Sequence, residues 1–207
     1  MKKNHVSYWS STLNMRSIIS GKNIQKKVMA DKKQLLRLLY DNDITAILIG
    51  GIAMRLYNSP RVTHDLDLAI RTLDIDIVTD LMYEHGYYLV TAVENDSAIV
   101  QLSGPEAKEW IRESKSGSAS FIGYEQKPGI QGIPLKNIDI TTQVDYLFEL
   151  SIPVMRLKES AREIPMDDFF ILVASIEDLL VLKESRKDKS SADYADIQFL
   201  KNLLNSE

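Results

Sequence analysis

Apolar and polar positions alternate in short blocks along this chain, and the length of each block predicts its element. From about residue 23 to 40 helix formers dominate, with Val28, Leu35, Leu36, Leu38 and Leu39 on one face and Asp41-Asn42-Asp43 as a stop. Ala46-Ile47-Leu48-Ile49 is too short for a helix and reads as a buried strand ending at Gly50-Gly51. The glycines open a brief helical stretch from Ile52 to Tyr57, closed by Asn58-Ser59-Pro60. Residues 65–70 alternate: Leu66, Leu68 and Ile70 point one way, and Asp65, Asp67 and Ala69 the other. That is a strand with an apolar back and an acidic front.

A helix from about Asp74 with Gly86 as its stop comes next, then strand-like runs at Tyr88–Val93 and Ala98–Leu102. The stretch from Lys115 to Pro134 holds four glycines and reads as mobile loop. Val144-Asp145-Tyr146-Leu147-Phe148 is a further strand candidate. Towards the C-terminus Ser175 stands three residues before Asp178, a capping pattern ahead of Leu179-Leu180-Val181-Leu182-Lys183, and a last helix spans about Ala192 to Leu204. Residues 1–22 are polar and read as a loosely held leader. Residues 23–207 then form one domain, helical from about residue 175, with no internal repeat or low-complexity tract.

Composition narrows the chemistry. The 207 residues include no cysteine and three scattered histidines, which excludes disulfides, thiol nucleophiles and Cys-ligated metal, and makes a His-rich metal site improbable. No apolar run is long enough for a bilayer span and residues 1–25 lack a signal-peptide core, so the expectation is a soluble, cytoplasmic protein without a membrane partner. The net charge of −4 is unevenly spread: residues 1–37 carry nine Lys and Arg against Asp31 alone. Such a stretch is either a surface for nucleic acid or an acidic partner, or a solvated helix that serves solubility.

The strongest chemical signal is Asp65 with Asp67. Carboxylates at i and i+2 of a strand share a face, and unit charges about 4 Å apart repel by roughly 4 kcal/mol at an effective dielectric near 20. A divalent cation reverses that sign, and an all-oxygen site selects a hard ion such as Mg²⁺ or Mn²⁺; two solvated surface carboxylates are the plainer alternative. Gly50-Gly51 sits at a strand-to-helix junction, where backbone N–H groups can approach an anion, unless it is only a tight turn.

Gly50-Gly51, a short helix, then Arg61-Val62-Thr63-His64-Asp65-Leu66-Asp67 together resemble the signature of the nucleotidyltransferase superfamily that includes DNA polymerase β. The likeness is nearest to the abortive-infection type nucleotidyltransferases, many of them toxins of toxin–antitoxin pairs, and lincosamide-type antibiotic nucleotidyltransferases look similar through this first motif. The resemblance covers roughly residues 44–204. It implies a third carboxylate on a later strand, which Val144-Asp145-Tyr146 fits, with Asp139 between Ile138 and Ile140 as a rival six residues earlier. It also implies a lysine ending an apolar helix and a following Asp-x-x-Asp-Ile, read here as Lys183 and Asp193 to Ile197. Lys183, Asp193 and Asp196 fall on apolar helix stripes, where charges are placed only if paired or functional; a structural Lys183–Asp193 ion pair is the alternative reading. One departure stands out: Ala192 occupies the position before the first aspartate, where the family often has Lys. No phosphate-binding P-loop, dinucleotide fingerprint or nucleophile elbow is present, and His5, His64 and His85 read as surface groups.

The resemblance therefore implies an α/β (α+β) nucleotidyltransferase fold: a small mixed β-sheet, flanking helices and a C-terminal helical portion. It implies an enzyme moving a nucleoside monophosphate from a nucleoside triphosphate to an acceptor hydroxyl, with Mg²⁺ or Mn²⁺ on Asp65, Asp67 and Asp145. Lys183 would balance triphosphate charge, Gly50, Gly51 and Asp193 would serve nucleotide binding, and Arg61 would contact phosphate or anchor the motif loop. The basic N-terminal stretch favours an RNA acceptor such as tRNA, and a toxin would have a cognate antitoxin as partner. Antibiotic modification and a non-catalytic nucleotide- or partner-binding module are the other readings.

Overall fold

Apolar runs bounded by turn residues become strands here, and amphipathic stretches become helices laid over them. The computed structural model describes residues 32–60, 62–129 and 132–206. In chain order the elements are α1 (Lys32–Asp41), β1 (Ala46–Ile49), α2 (Gly50–Leu56), β2 (Leu66–Ile70), α3 (Ile75–Glu84), β3 (Tyr87–Glu94), β4 (Ser97–Val100) and α4 (Gly104–Ser114). They continue with β5 (Ser118–Gly123), β6 (Ile133–Pro134), β7 (Val144–Leu147), α5 (Val154–Ser160), β8 (Arg162–Met166), β9 (Phe169–Val173), α6 (Ile176–Glu184) and α7 (Ser191–Leu204). The leader and the N-terminal part of the first expected helix lie outside the described residues.

All described strands join one mixed sheet in the order β6-β4-β3-β5-β7-β2-β1-β9-β8. β1 runs antiparallel to β2 and parallel to β9, while β2 is parallel to β7. Both faces of the centre are covered, so Leu66, Leu68, Ala69 and Ile70 are all buried, as are Ile47, Leu48, Phe121 and Tyr146. No helix among the described residues is long and apolar enough to cross a membrane.

The sheet is not small: it has nine strands among the described residues. Part of the excess comes from residues 115–134, which are not all loop. β5 lies between β3 and β7 and sends Ala119 and Phe121 into the core, so tertiary pairing overrides the turn signal of Gly117 and Gly123. The β8–β9 hairpin supplies another part, turning at Asp167 in the left-handed region with φ 53°. Pro165 is tolerated there because β8 is an edge strand.

Hairpin and first helix are tied electrostatically. Lys33 pairs with Asp167, and Arg37 bridges Asp41 at 2.7 Å and Asp168. Two of the basic residues expected to form a nucleic-acid surface are thus engaged within the protein. Lys22, Lys26 and Lys27 lie outside the described residues.

Candidate active site

Register brings the acidic residues together. Asp67 of β2 pairs with Ile49 on one side and with Asp145 of β7 on the other, and Asp145 pairs in turn with Ser120. Side chains in such a cross-strand row project from the same face at the spacing of hydrogen-bonded strands, roughly 4.8 Å. Asp65 enters the cluster from the residue preceding β2. One carboxylate oxygen from each of Asp65, Asp67 and Asp145 lies within 4.8 Å of the others. Asp139 is not part of this group: it caps the short 3₁₀ turn Ile140–Thr142, accepting from the Thr141 amide at 2.9 Å and hydroxyl at 2.7 Å. The third carboxylate of the cluster is Asp145.

Each glycine of the pair makes room for one acid. Gly50 has φ +65°, and a Cβ there would stand 1.9 Å from Asp67 Oδ2. The Gly51 amide donates to that same oxygen at 3.4 Å. A Cβ on Gly51 would meet the Thr63 side chain at 2.7 Å, and the Thr63 hydroxyl donates to Asp65. Gly51 therefore admits Thr63, which orients Asp65; this is the physical content of the Thr-x-Asp spacing. Gly50→Ala should displace the Asp67 carboxylate as well as strain the backbone. Its expected outcome is a folded protein whose Mg²⁺-dependent nucleotide binding, followed by calorimetry, falls by at least about tenfold (about 1.4 kcal/mol).

Three carboxylates this close are electrostatically costly, and their titration records it. Burial first, then the charges of Asp65 and Asp145, push the Asp67 carboxyl up to about 6, against the Gly51 amide and Arg186. Burial also lifts Asp145, with the Ser120 and Gln143 side chains working against it. Gln143 donates to Asp145 Oδ2 at 3.0 Å, but buried Oδ1 has no hydrogen-bond partner among the described residues. An acceptor-only cluster with an orphaned oxygen and mutual repulsion fits a hard divalent cation, and Asp65, Asp67 and Asp145 are the residues that would hold it.

The sign of the pH dependence follows. A raised carboxyl binds protons more tightly in the folded state, so without metal its contribution falls as pH rises from about 4 to about 6. Unfolding by urea in a chelator should show wild type losing up to about 3 kcal/mol relative to Asp67→Asn across that window. Equal pH slopes for the two proteins would refute the assignment.

The C-terminal charges form a second cluster. Lys183 Nζ, almost wholly buried, donates to Asp193 Oδ1 at 3.0 Å and lies 2.7 Å from Asp196 Oδ2. Arg186 adds a bond to Asp193 Oδ1 at 3.1 Å, and the Ser190 amide and hydroxyl donate to Oδ2 at 3.0 and 2.9 Å. Burial works to raise Asp193, but the bonds from Lys183 and Ser190 and the Lys183 charge outweigh it, holding the carboxyl well below its ordinary range. The ion pair weighed as the alternative for Lys183 is thus present, with two carboxylates rather than one.

Arg186 was not singled out in the sequence, because it follows the helix in an irregular, charge-rich stretch. Half-exposed, it joins the two clusters, since its charge also acts on Asp67. A cavity of about 290 Å³ runs between them, lined by Gly50, Leu147, Glu149, Leu182, Lys183 and Arg186 among others. On another side of the acids, a hollow of about 510 Å³ is lined by Lys32, Arg55, Thr63 and His64, with Ile52 and Leu56 as apolar wall. Lys32 donates to the His64 carbonyl; burial lowers its pKa, while the charges of Asp65, Asp67 and Asp139 pull it back. Arg61 lies outside the described residues.

The comparison with solved structures agrees with this architecture. The chain resembles a lincosamide antibiotic adenylyltransferase solved with lincomycin bound, with a TM-score of 0.50 and 16% identity over 84% of this chain and 98% of that one. It is also similar to an antigenic nucleotidyltransferase-like protein from Paracoccidioides brasiliensis, with a TM-score of 0.45 and 14% identity over 83% of this chain and 73% of the other. No family profile and no curated protein sequence matches the chain. The fold is the nucleotidyltransferase fold.

Proposed function

We propose that the protein is a Mg²⁺- or Mn²⁺-dependent nucleotidyltransferase that moves a nucleoside monophosphate from a nucleoside triphosphate to an acceptor hydroxyl. The observation that carries this reading is the convergence of Asp65, Asp67 and Asp145 beside the Gly50-Gly51 turn. The cation would neutralise triphosphate charge and favour the ionised acceptor hydroxyl. The chain's own groups do the rest. Asp65 is oriented by Thr63 and Asp67 is seated against Gly50 and Gly51. The acceptor oxygen attacks the α-phosphorus, its bond to the β-phosphate oxygen breaks and pyrophosphate leaves. We assign the acceptor proton to Asp145, whose Oδ1 lacks a partner among the described residues.

Arg186 supplies the exposed cation for the triphosphate that the Ala192 position lacks. Lys183 serves it from beneath, by holding Asp193 and through Asp193 the guanidinium of Arg186.

For the acceptor, the hollow walled by Lys32, Arg55 and His64 favours an anionic molecule over an amine-bearing antibiotic. An RNA such as tRNA fits that preference, and the further reading is a cytoplasmic toxin held by a cognate antitoxin. Incubation with labelled nucleoside triphosphates, Mg²⁺ and either total RNA or a lincosamide tests both choices. Label in RNA supports the toxin reading, label in the antibiotic replaces it with resistance, and no product with either points to a non-catalytic binding module.

A further inference from the structure

The hollow lined by Lys32, Arg55, Thr63 and His64 measures about 510 Å³, within the range of about 300–1,000 Å³ that organic ligands occupy. Ile52 and Leu56 form its apolar wall, and Leu56 is 38% exposed. Val62 and Ile140, each next to a lining residue, are 77% and 58% exposed. Arg55 is exposed too, and its guanidinium makes no hydrogen bond or ion pair among the described residues. Exposed apolar side chains gathered around an unpaired cation mark a surface that something covers.

The chain supplies an occupant at the edge of the hollow. Lys32, the first described residue, lines it and donates to the His64 carbonyl, so residues 1–31 join the fold at the hollow itself. Their apolar side chains concentrate between Val6 and Ile19, in Tyr8, Trp9, Leu13, Met15, Ile18 and Ile19. Trp9 stands 23 residues before Lys32, and even a random chain of that length spans roughly 25 Å, so reach is not limiting. Tethering of this kind gives a millimolar effective concentration, enough for a contact too weak to form between separate molecules. Charge agrees. Residues 1–30 contain no acid, and residues 6–19 carry only Arg16. Nothing in that stretch repels the carboxylates of Asp65, Asp67 and Asp139, whose charges reach Lys32. Tyr8 and Trp9 offer the aromatic faces on which an unpaired guanidinium packs.

We propose that residues 6–19 dock in this hollow and cover it, with Tyr8 and Trp9 against Arg55 and the Ile52–Leu56 wall. An acceptor entering there has to displace them, a consequence that rests on the nucleotidyl-transfer reading above; the docking itself does not. The chain has two tryptophans, so full-length Trp110→Phe leaves Trp9 as the reporter. Trp9 should emit to the blue of its maximum in urea. Iodide should quench it about 10-fold less readily than in urea, the protection that a millimolar effective concentration gives a contact of about 0.1 mM. Leu56→Ser and Arg55→Ala, both at exposed positions, should each restore much of the quenching in a protein of unchanged circular dichroism. Trp110 packs against the core, so a second reporter leaves it in place: the chain has no cysteine, and Ser10→Cys carrying an environment-sensitive dye should respond in the same way. Trp9 quenched as freely in the folded protein as in urea, or protected equally in both hollow variants, would overturn the docking. Protection that grows with protein concentration would overturn it in favour of contact between two copies. RNA affinity should rise up to about 10-fold when Tyr8→Ser and Trp9→Ser are combined, because the hollow is then no longer occupied. No rise, with Trp9 protected in the reporter, would uphold the docking and refute the hollow as the acceptor's site.

Discussion

Asp67→Asn is expected to abolish nucleotidyl transfer and at the same time make the metal-free protein more stable at pH 7. Asp67 has Asp145 opposite it across the sheet and Asp65 two residues before it, its Oδ2 fills the space a Cβ on Gly50 would need, and its carboxyl is pushed up to about 6. Asn keeps the shape, and its amide removes one charge from a cluster whose oxygens lie within 4.8 Å. Loss of a carboxylate proposed to hold the cation should cost at least about 10³-fold in transfer rate, equivalent to about 4 kcal/mol. Relief of repulsion and of the cost of burying the charge should add up to about 3 kcal/mol in a chelator, or on the order of 5–10 °C in melting temperature for a chain of this size. The opposed directions are the diagnostic. A variant that is both inactive and less stable would mark Asp67 as structural.

Lys183→Met should have the opposite stability effect. Met retains the apolar stem, but Asp193 and Asp196 lose the cation lying 3.0 and 2.7 Å from them. Removing one partner of a buried ionic group strands the other, at a cost of roughly 3–5 kcal/mol and on the order of 10 °C in melting temperature. Arg186 and Ser190 would remain on Asp193. Adding Asp196→Asn to Lys183→Met removes one of the two carboxylates that Lys183 faces and should recover part of the stability. A melting temperature unchanged in Lys183→Met would show that the buried cation is held for triphosphate binding alone.

How much of this was legible in the sequence depended on whether the signal was local. Alternation around Asp65 and Asp67 needed only neighbouring residues, and β2 formed where that alternation lies. The cap at Ser175 precedes α6, and Gly86, at φ 79°, follows α3; the capping box of Ser190 with Asp193 on α7 appears only in the structure. The longer apolar run after Asp145 already favoured it over Asp139, and register places Asp145 opposite Asp67 while Asp139 caps a local turn. β5 was hidden because its flanking glycines are loop residues by propensity and only β3 and β7 make it a strand. The β8–β9 hairpin was hidden by Pro165 and the Asp167-Asp168 turn, which break the apolar alternation. Arg186 carried no periodic signal at all, since its importance comes from lying within reach of two clusters that are distant in sequence.

Asp65, Asp67 and Asp145 are proposed to form a metal–nucleotide centre, and titration of the full-length protein with Mn²⁺, followed by electron paramagnetic resonance with and without a nucleoside triphosphate, measures that property itself. Wild type should bind Mn²⁺, more tightly with nucleotide, and binding should be lost when Asp67 and Asp145 are both changed to Asn in a protein of unchanged circular dichroism. A folded double variant that binds Mn²⁺ and nucleotide as wild type does would rule the centre out.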